Sequence, residues 1–165
     1  MSGIQSTKFF LTESEVCSYL PEKQSSLIVV DPAKKINSLE YSQLTQSGFR
    51  RSGTTIYRPQ CKSCNQCVPL RIPVEDFMPK RRHKRILNKN SQIRVSSVDP
   101  SFSVEHFALY SKYLSNRHNS GAMNPSSIAQ YRDFLLEGRQ ETRFYEYRED
   151  DILLAVSVID SLSDG

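Results

Sequence analysis

Long apolar runs, tryptophan and abundant cysteine are all absent from this sequence: it has 165 residues, no Trp and only four Cys. A membrane-spanning helix needs about 20 consecutive apolar residues, and no stretch approaches that length. The N-terminal residues also lack the charged and then apolar regions of a secretion signal. We therefore expect a soluble, cytoplasmic protein with no membrane partner. In that reducing compartment, the cysteine spacing indicates metal or redox chemistry before it indicates structural disulfides.

Signatures of nucleotide use and of covalent catalysis are missing as well. There is no phosphate loop of the Walker type, no nucleophile with evident partners and no convincing pair of carboxylates. The sequence therefore predicts no ATP or other nucleotide cofactor, and it leaves the catalytic residues unknown. A chain of this length suits one ordinary domain or two small ones with a real core.

Positive charge is concentrated in one segment. From Arg50 to Arg94 there are twelve Lys or Arg residues and two acidic ones, a net charge of +10, which leaves −6 for the remainder of a chain whose total is +4. A local block of this kind marks an anionic partner, most commonly nucleic acid. The alternative is a solvated helix face, which charge runs usually are. Because few acidic residues neutralise this run, contact with phosphate is the favoured interpretation.

The pattern of apolar residues predicts a mixed α+β fold. Strands are predicted at 9–11, 27–30, 49–58 with a loosening at Gly53, 93–96, 142–148 and 152–159. Helices are predicted from an N-cap at Ser38 to Gly48, at 80–88, from Ser103 to Arg117 and at 127–137 before Gly138. The segment 152–159 is apolar enough for a central strand, and we expect the chain to be truncated because no later strand follows it.

Three cysteines lie at every third position of a tight loop: Cys61, Cys64 and Cys67. Three thiolates this close can converge on one centre, whereas zinc and cubane iron–sulfur clusters usually take four protein ligands. Cys17 is the natural fourth ligand, and His83 is a fallback that would favour zinc. The alternatives are a redox or regulatory thiol set and inert packing. Spacing alone does not identify the metal.

Several cationic and aromatic residues are candidates for binding RNA or an acidic peptide. They are Arg50, Arg51, Tyr57, Arg58, Lys80, Arg81, Arg82 and Arg85. Arginine and aromatic rings suit a partly single-stranded RNA end, where bases stack and phosphates pair with guanidinium groups. Arginine also binds carboxylates through two hydrogen bonds, so some of these residues could read an acidic peptide instead. Arg117 and His118 are further candidates, although His118 alone is more typical of a favourable helix C-terminus than of catalysis.

These segments, in this order, resemble the aminoacyl-tRNA–protein transferases, and among them the bacterial aspartate/glutamate leucyltransferases. The matching segments are Cys17-Ser18-Tyr19-Leu20-Pro21, Gly48-Phe49-Arg50-Arg51-Ser52-Gly53, Tyr57-Arg58-Pro59, the cysteine loop running into Val68-Pro69-Leu70-Arg71-Ile72-Pro73-Val74, and the basic run ending near Asn90. Arg117 and His118, followed by Gly121 and Met123, resemble the family's second block. The likeness covers essentially the whole chain.

The resemblance implies an N-terminal cysteine-bearing region, residues 1–75, followed by the first part of an acetyltransferase-like (GNAT-type) α/β domain, residues 76–165. It implies transfer of leucine from leucyl-tRNA to acceptor proteins that begin with Asp or Glu, marking them for N-degron degradation. The ester of the charged tRNA is already activated, so no ATP is needed. The alternatives are arginyl transfer from arginyl-tRNA, a non-catalytic metal-knuckle module that binds RNA, and a redox-sensing regulator.

The resemblance also suggests roles for the cationic residues. Arg81, Arg82 and Arg85 would hold tRNA phosphates or the acidic side chain of the acceptor, and Arg50 and Arg51 would take the other task.

Overall fold

The computed structural model describes residues 7–117, 127–137 and 141–163. They divide into two compact units, the first running to Leu70 and taking in the segment from Leu162, and the second running from Arg71 to Ser161. Helices and antiparallel sheets occur in both units, which confirms the α+β prediction. Within the described ranges, no helix is long and apolar enough to cross a membrane.

The first unit is built on an antiparallel sheet. Its elements are β1 (Phe9–Leu11), β2 (Glu15–Val16), β3 (Gln24–Ser25), β4 (Leu27–Val30), α1 (Ser38–Gln46), β5 (Arg50–Ser52) and β6 (Thr55–Pro59). Four strands form one sheet in the order β1-β4-β6-β5, and β2 and β3 form a separate ribbon. Buried Val30, Tyr41, Leu44, Phe49 and Ile56 form the core between this sheet and α1.

The prediction of one strand over 49–58 is wrong, because the chain reverses direction at Gly53. This glycine has a φ of +56°, a left-handed conformation that residues with a Cβ rarely adopt. The turn pairs β5 with β6, placing Arg50 opposite Tyr57 and Ser52 opposite Thr55. The hairpin therefore brings two of the candidate binding residues side by side.

Helix α1 begins at Ser38, one residue earlier than a cap at Ser38 would give. The N-cap is Asn37 rather than Ser38, because the Asn37 side chain accepts a hydrogen bond from the backbone N–H of Glu40 at 2.9 Å. The Glu40 carboxylate accepts one in return from the backbone N–H of Asn37 at 3.1 Å. This reciprocal pair is a capping box, which satisfies two amides that the helix leaves unpaired.

Replacing Asn37 with alanine is expected to lower the free energy of unfolding by about 1 kcal/mol, because the N–H of Glu40 loses its partner. Urea denaturation followed by circular dichroism measures this change. Ser38→Ala is the matched control, and an equal loss in that variant would contradict the capping assignment.

The second unit packs helices against a three-stranded sheet. Its elements are α2 (Arg81–Lys89), β7 (Arg94–Val98), α3 (Val104–Arg117), α4 (Ile128–Tyr131), a π-helical turn (Arg132–Leu136), β8 (Thr142–Glu149) and β9 (Ile152–Asp160). The strands are antiparallel in the order β7-β8-β9, so β9 lies at the edge of the sheet formed by the described residues. Leu114, Tyr131, Phe144 and Leu153 are buried in this unit.

Candidate functional site

All four cysteines line one cavity of the first unit, with a volume of about 990 Å³. Cys17 follows β2, whereas the other three belong to the loop after β6, so the fold brings together segments far apart in sequence. Other lining side chains carry charge or a phenol ring: Glu13, Glu15, Tyr19, Glu22, Lys23, Arg50 and Tyr57. We call this space the cysteine cavity.

The thiols differ in exposure and are not in disulfides. Cys17 is buried, Cys61 and Cys64 are half-buried, and Cys67 is exposed. The backbones of Cys61 and Cys64 pair in an isolated antiparallel β-bridge. The Cys61 thiol donates a hydrogen bond to the Ser26 carbonyl at 3.9 Å. Among the described residues, no three Cys, His, Asp or Glu side chains lie close enough together to hold a metal ion. The thiols share a cavity without completing a coordination shell, and metal binding stays a prediction.

The fallback ligand His83 has a different local role. Its Nδ1 accepts a hydrogen bond from the backbone N–H of Lys80 at 3.1 Å, and its ring stacks on Phe77 with centroids 5.3 Å apart. The imidazole thus helps to cap α2, and its Nδ1 lone pair is already in use.

Metal analysis of protein purified under nitrogen checks the cluster prediction. Iron with visible absorbance, or zinc without it, should be retained by the wild type and lost in Cys64→Ser. Metal-free protein with four titratable thiols would contradict the prediction.

Of the three arginines on the β5–β6 hairpin, Arg50 lines the cysteine cavity. It is exposed, and its guanidinium carbon lies 5.4 Å from the ring centroid of Tyr57. Arg51 donates a hydrogen bond to the Gly53 carbonyl at 3.2 Å, and Arg58 donates one to the Ser47 carbonyl at 3.0 Å. Those two guanidinium groups therefore support the hairpin and its surroundings, and Arg50 is the better placed to meet a ligand in the cavity.

The carboxylates of the cysteine cavity were missed by sequence reasoning. Glu13, Glu15 and Glu22 lie before the basic segment and line the same cavity as Arg50. The only signal was the negative charge of the chain outside residues 50–94. The cavity can therefore offer a cation and anions to one ligand.

Helix α2 displays the basic run predicted from the sequence. Lys80 is its N-cap residue, and the side chains of Lys80, Arg81, Arg82 and Arg85 are all exposed. At 3.6 residues per turn, Arg81, Arg85 and Lys89 form one stripe with Arg82 beside it. Leu87 lies on the opposite side, whereas Ile86 lies one turn after Arg82 at the margin of the stripe. The helix is thus a cationic surface suited to phosphate contact.

The second block of candidate residues is described only in part. Arg117 is the exposed last residue of α3. His118, Gly121 and Met123 lie outside the described residues, so the role of His118 stays a prediction.

A buried histidine network in the second unit was also missed. The Nε2 of His106 lies 2.6 Å from a carboxylate oxygen of Glu146, whose other oxygen accepts a hydrogen bond from Nε of Arg148 at 2.8 Å. The guanidinium of Arg148 also contacts both carboxylate oxygens of Glu105. The sequence does carry a signal for this burial, because His106 stands four residues before Tyr110 in the helix predicted from Ser103 to Arg117, a spacing that places both residues on one face.

Two hydrogen bonds, from Arg148 and then from His106, hold the pKa of Glu146 below its usual range. A carboxyl group whose pKa is lower in the folded state stabilises the fold fully at pH values above its pKa in the unfolded chain, about 4.3. This stabilisation is lost as the pH falls through the pKa of the group in the folded state. The melting temperature of the wild type should therefore fall more steeply below about pH 4.3 than that of Glu146→Gln. Calorimetry measures the slopes, with Glu149→Gln on the same strand as control. Equal slopes in wild type and Glu146→Gln would refute this role.

Comparison with known proteins places these features in a family. Residues 15–85 match the model for the N terminus of arginine-tRNA-protein transferase, and residues 105–165 match the model for its C terminus. The whole chain is 46% identical to the aspartate/glutamate leucyltransferase of Pseudomonas syringae pv. tomato, covering 70% of that protein. It is 44% identical to the aspartate/glutamate leucyltransferases of Alcanivorax borkumensis and Hahella chejuensis, covering 68% and 70% of them.

Both family models match in chain order, and the leucyltransferase matches extend over all 165 residues. The likeness found in the cysteine loop and the basic run is therefore part of a match along the full sequence. The chain belongs to the aminoacyl-tRNA–protein transferases, a family of aminoacyltransferase enzymes.

Proposed function

We propose that the chain transfers leucine from leucyl-tRNA to the N-terminal Asp or Glu of acceptor proteins. The observation that carries this proposal is the 43 to 46% identity, along the whole chain, to proteins named aspartate/glutamate leucyltransferases. The family models carry the name of arginine-tRNA-protein transferase, so arginyl transfer is the second candidate.

The acceptor's first residue fits the charges of the cysteine cavity. An N-terminal Asp or Glu presents a carboxylate on its side chain and an α-ammonium group close by. The guanidinium of Arg50, beside the ring of Tyr57, can donate two parallel hydrogen bonds to that carboxylate. Glu13, Glu15 or Glu22 can attract the α-ammonium group. Recognition of both charges would select acidic N-termini over neutral ones.

The charged tRNA fits the cationic surface of α2. Arg81, Arg82 and Arg85 are exposed and adjacent, and each can neutralise a phosphate of the acceptor stem. These contacts hold the backbone in place without reading its sequence. Arg117 is a further candidate for contact with tRNA.

The reaction needs no energy source beyond the ester. An α-amine has a pKa of about 7.7 to 8, so an appreciable neutral fraction exists in the cytosol. The neutral nitrogen attacks the ester carbonyl carbon, a peptide bond forms, the bond to the ribose oxygen breaks, and the proton lost from the amine ends on that oxygen. Positioning and stabilisation of the developing oxyanion provide the acceleration.

The product's new N-terminal leucine suggests the biological role. We place the enzyme in the cytoplasm, where charged tRNA is made, and we propose that leucine addition marks acceptors for degradation through the N-degron pathway. We also propose that the α3 helix and β7-β8-β9 sheet of the second unit begin a GNAT-type transferase fold.

Donor choice is tested by supplying the protein with radiolabelled leucyl-tRNA or arginyl-tRNA and a peptide that begins with Asp. Incorporation of leucine alone is the expected result. Incorporation of arginine alone would establish the second candidate. Tight tRNA binding without transfer of either amino acid would favour the non-catalytic RNA-binding module.

A further inference from the structure

A second cavity lies wholly within the second unit and has a volume of about 530 Å³. Its wall is formed by α3, the α4 segment and the sheet, and it includes Leu109, Leu114, Phe144, Val156 and Val158. The described residues contribute no carboxylate to this wall. We call it the aliphatic cavity. Small-ligand sites typically have volumes of about 300 to 1,000 Å³ and mostly apolar walls with a few placed polar groups.

One polar atom in this wall has no hydrogen-bond partner. His106 lines the cavity with only 5% of its side chain exposed, and its Nδ1 is buried and unpaired within the described part of the chain. Glu146 accepts a hydrogen bond from Arg148 through its other oxygen, so its carboxylate is the acceptor for His106 as well, and the ring hydrogen lies on Nε2, between the two groups. Nδ1 is then a free acceptor. Buried acceptors are rarely left unpaired, so this lone pair suggests that a ligand supplies the donor.

We propose that the aliphatic cavity receives the leucyl group of the donor tRNA, with its isobutyl side chain against the apolar wall and its α-amino group donating to Nδ1 of His106. This assignment rests on the proposed function. The leucyl group has one branched apolar part and one hydrogen-bond donor beside it, which are the two features the cavity complements. His106 is then a positioning residue, and Glu146 fixes the orientation of its ring.

The same wall accounts for selection against arginine. A guanidinium group in the cavity would lose its hydration and meet no carboxylate among the described lining residues. An apolar pocket rejects a charged side chain far more strongly than it rejects an aliphatic one of similar size.

Two stable analogues of the aminoacylated tRNA end separate the contribution of the α-amino group from that of the isobutyl side chain. The first is leucyl-3′-amino-3′-deoxyadenosine, and the second is its 4-methylpentanoyl counterpart, which lacks the α-amino group. Calorimetry should show that the full chain binds the first about tenfold more tightly, the effect of one hydrogen bond. In His106→Gln this preference should disappear, because glutamine can still donate to Glu146 but has no acceptor at the position of Nδ1. An unchanged tenfold preference in a folded His106→Gln variant would overturn the proposal.

A substitution that fills the cavity tests the apolar wall. Val156→Phe should weaken both analogues by about tenfold or more, because the added ring occupies the space of the isobutyl group. Ile152→Phe adds the same ring to β9 outside the cavity and should leave both affinities unchanged. If Val156→Phe keeps its melting temperature and binds both analogues as tightly as the wild type, the proposal is overturned.

The two proposals fail in different ways. If the wild type transfers leucine but binds both analogues equally, the cavity assignment is wrong and the proposed function stands. If it prefers the leucyl analogue but transfers no leucine, the proposed function is wrong and the cavity assignment stands.

Discussion

Replacing Arg50 with alanine is expected to reduce leucine transfer to peptides beginning with Asp or Glu by roughly 100-fold, equivalent to about 2.7 kcal/mol. Arg50 lines the cysteine cavity, and its guanidinium is the group that would meet the acceptor's carboxylate. Without it, that carboxylate would lose two charge-assisted hydrogen bonds. Transfer to a peptide beginning with Ala should stay at its low basal level. Initial rates over a range of peptide concentrations give kcat/KM for each acceptor.

Arg51→Ala is the matched control for Arg50→Ala. The guanidinium of Arg51 bonds to the Gly53 carbonyl within the hairpin, so its loss should affect stability and leave the preference for acidic acceptors intact. Arg50→Lys separates charge from geometry, since lysine keeps the charge but not the paired donors. If Arg50→Ala lowers transfer to all three acceptors by the same factor, acceptor reading by Arg50 is refuted.

Replacing Arg81, Arg82 and Arg85 together with glutamine is expected to raise the KM for leucyl-tRNA by about 100-fold at physiological salt, because three phosphate contacts are lost. The slope of log affinity against log salt should become shallower by about 2 to 3. Filter binding at several salt concentrations measures both quantities. Glutamine is a good helix former, so α2 should persist, which circular dichroism verifies.

Lys112→Gln serves as the control for this triple variant. Lys112 is exposed on a different helix, α3, and its replacement should change neither the KM nor the salt slope. A triple variant whose salt slope equals that of the wild type would show that α2 does not bind the phosphates.

Elements with a strong local pattern were predicted well. Helix α2 lies within one residue of its predicted bounds, because most of its residues are Arg, Lys or Leu, which are good helix formers, or follow directly after Pro79. The last two strands match closely, since β-branched and aromatic residues are frequent on the two sides of an acidic turn. In both regions neighbouring residues alone decide the structure.

The predictions were wrong where a single residue or a distant partner determines the local structure. Gly53 turns one predicted strand into a hairpin, since a positive φ reverses the chain. Asn37 takes the cap from Ser38 because the reciprocal bond with Glu40 adds a second hydrogen bond. The helix predicted at 127–137 changes to a π-helical turn after Tyr131, for which the sequence offers no marker.

The candidate site was predicted in its residue types and only partly in its arrangement. The four cysteines line one cavity, and their binding of a metal stays a prediction. The carboxylates that join Arg50 and the pairing of His106 with Glu146 depend on contacts between segments far apart in sequence. A single sequence carries little information about such contacts, because they depend on tertiary packing.

The most direct test of the central claim is a competition between donors and between acceptors in one reaction. The protein is given equal amounts of leucyl-tRNA and arginyl-tRNA together with peptides that begin with Asp, Glu and Ala and are otherwise identical. Tandem mass spectrometry then identifies the residue added to each peptide. We predict leucine on the Asp and Glu peptides and none on the Ala peptide. Arginine on the acidic peptides, or leucine added equally to all three, would contradict the account.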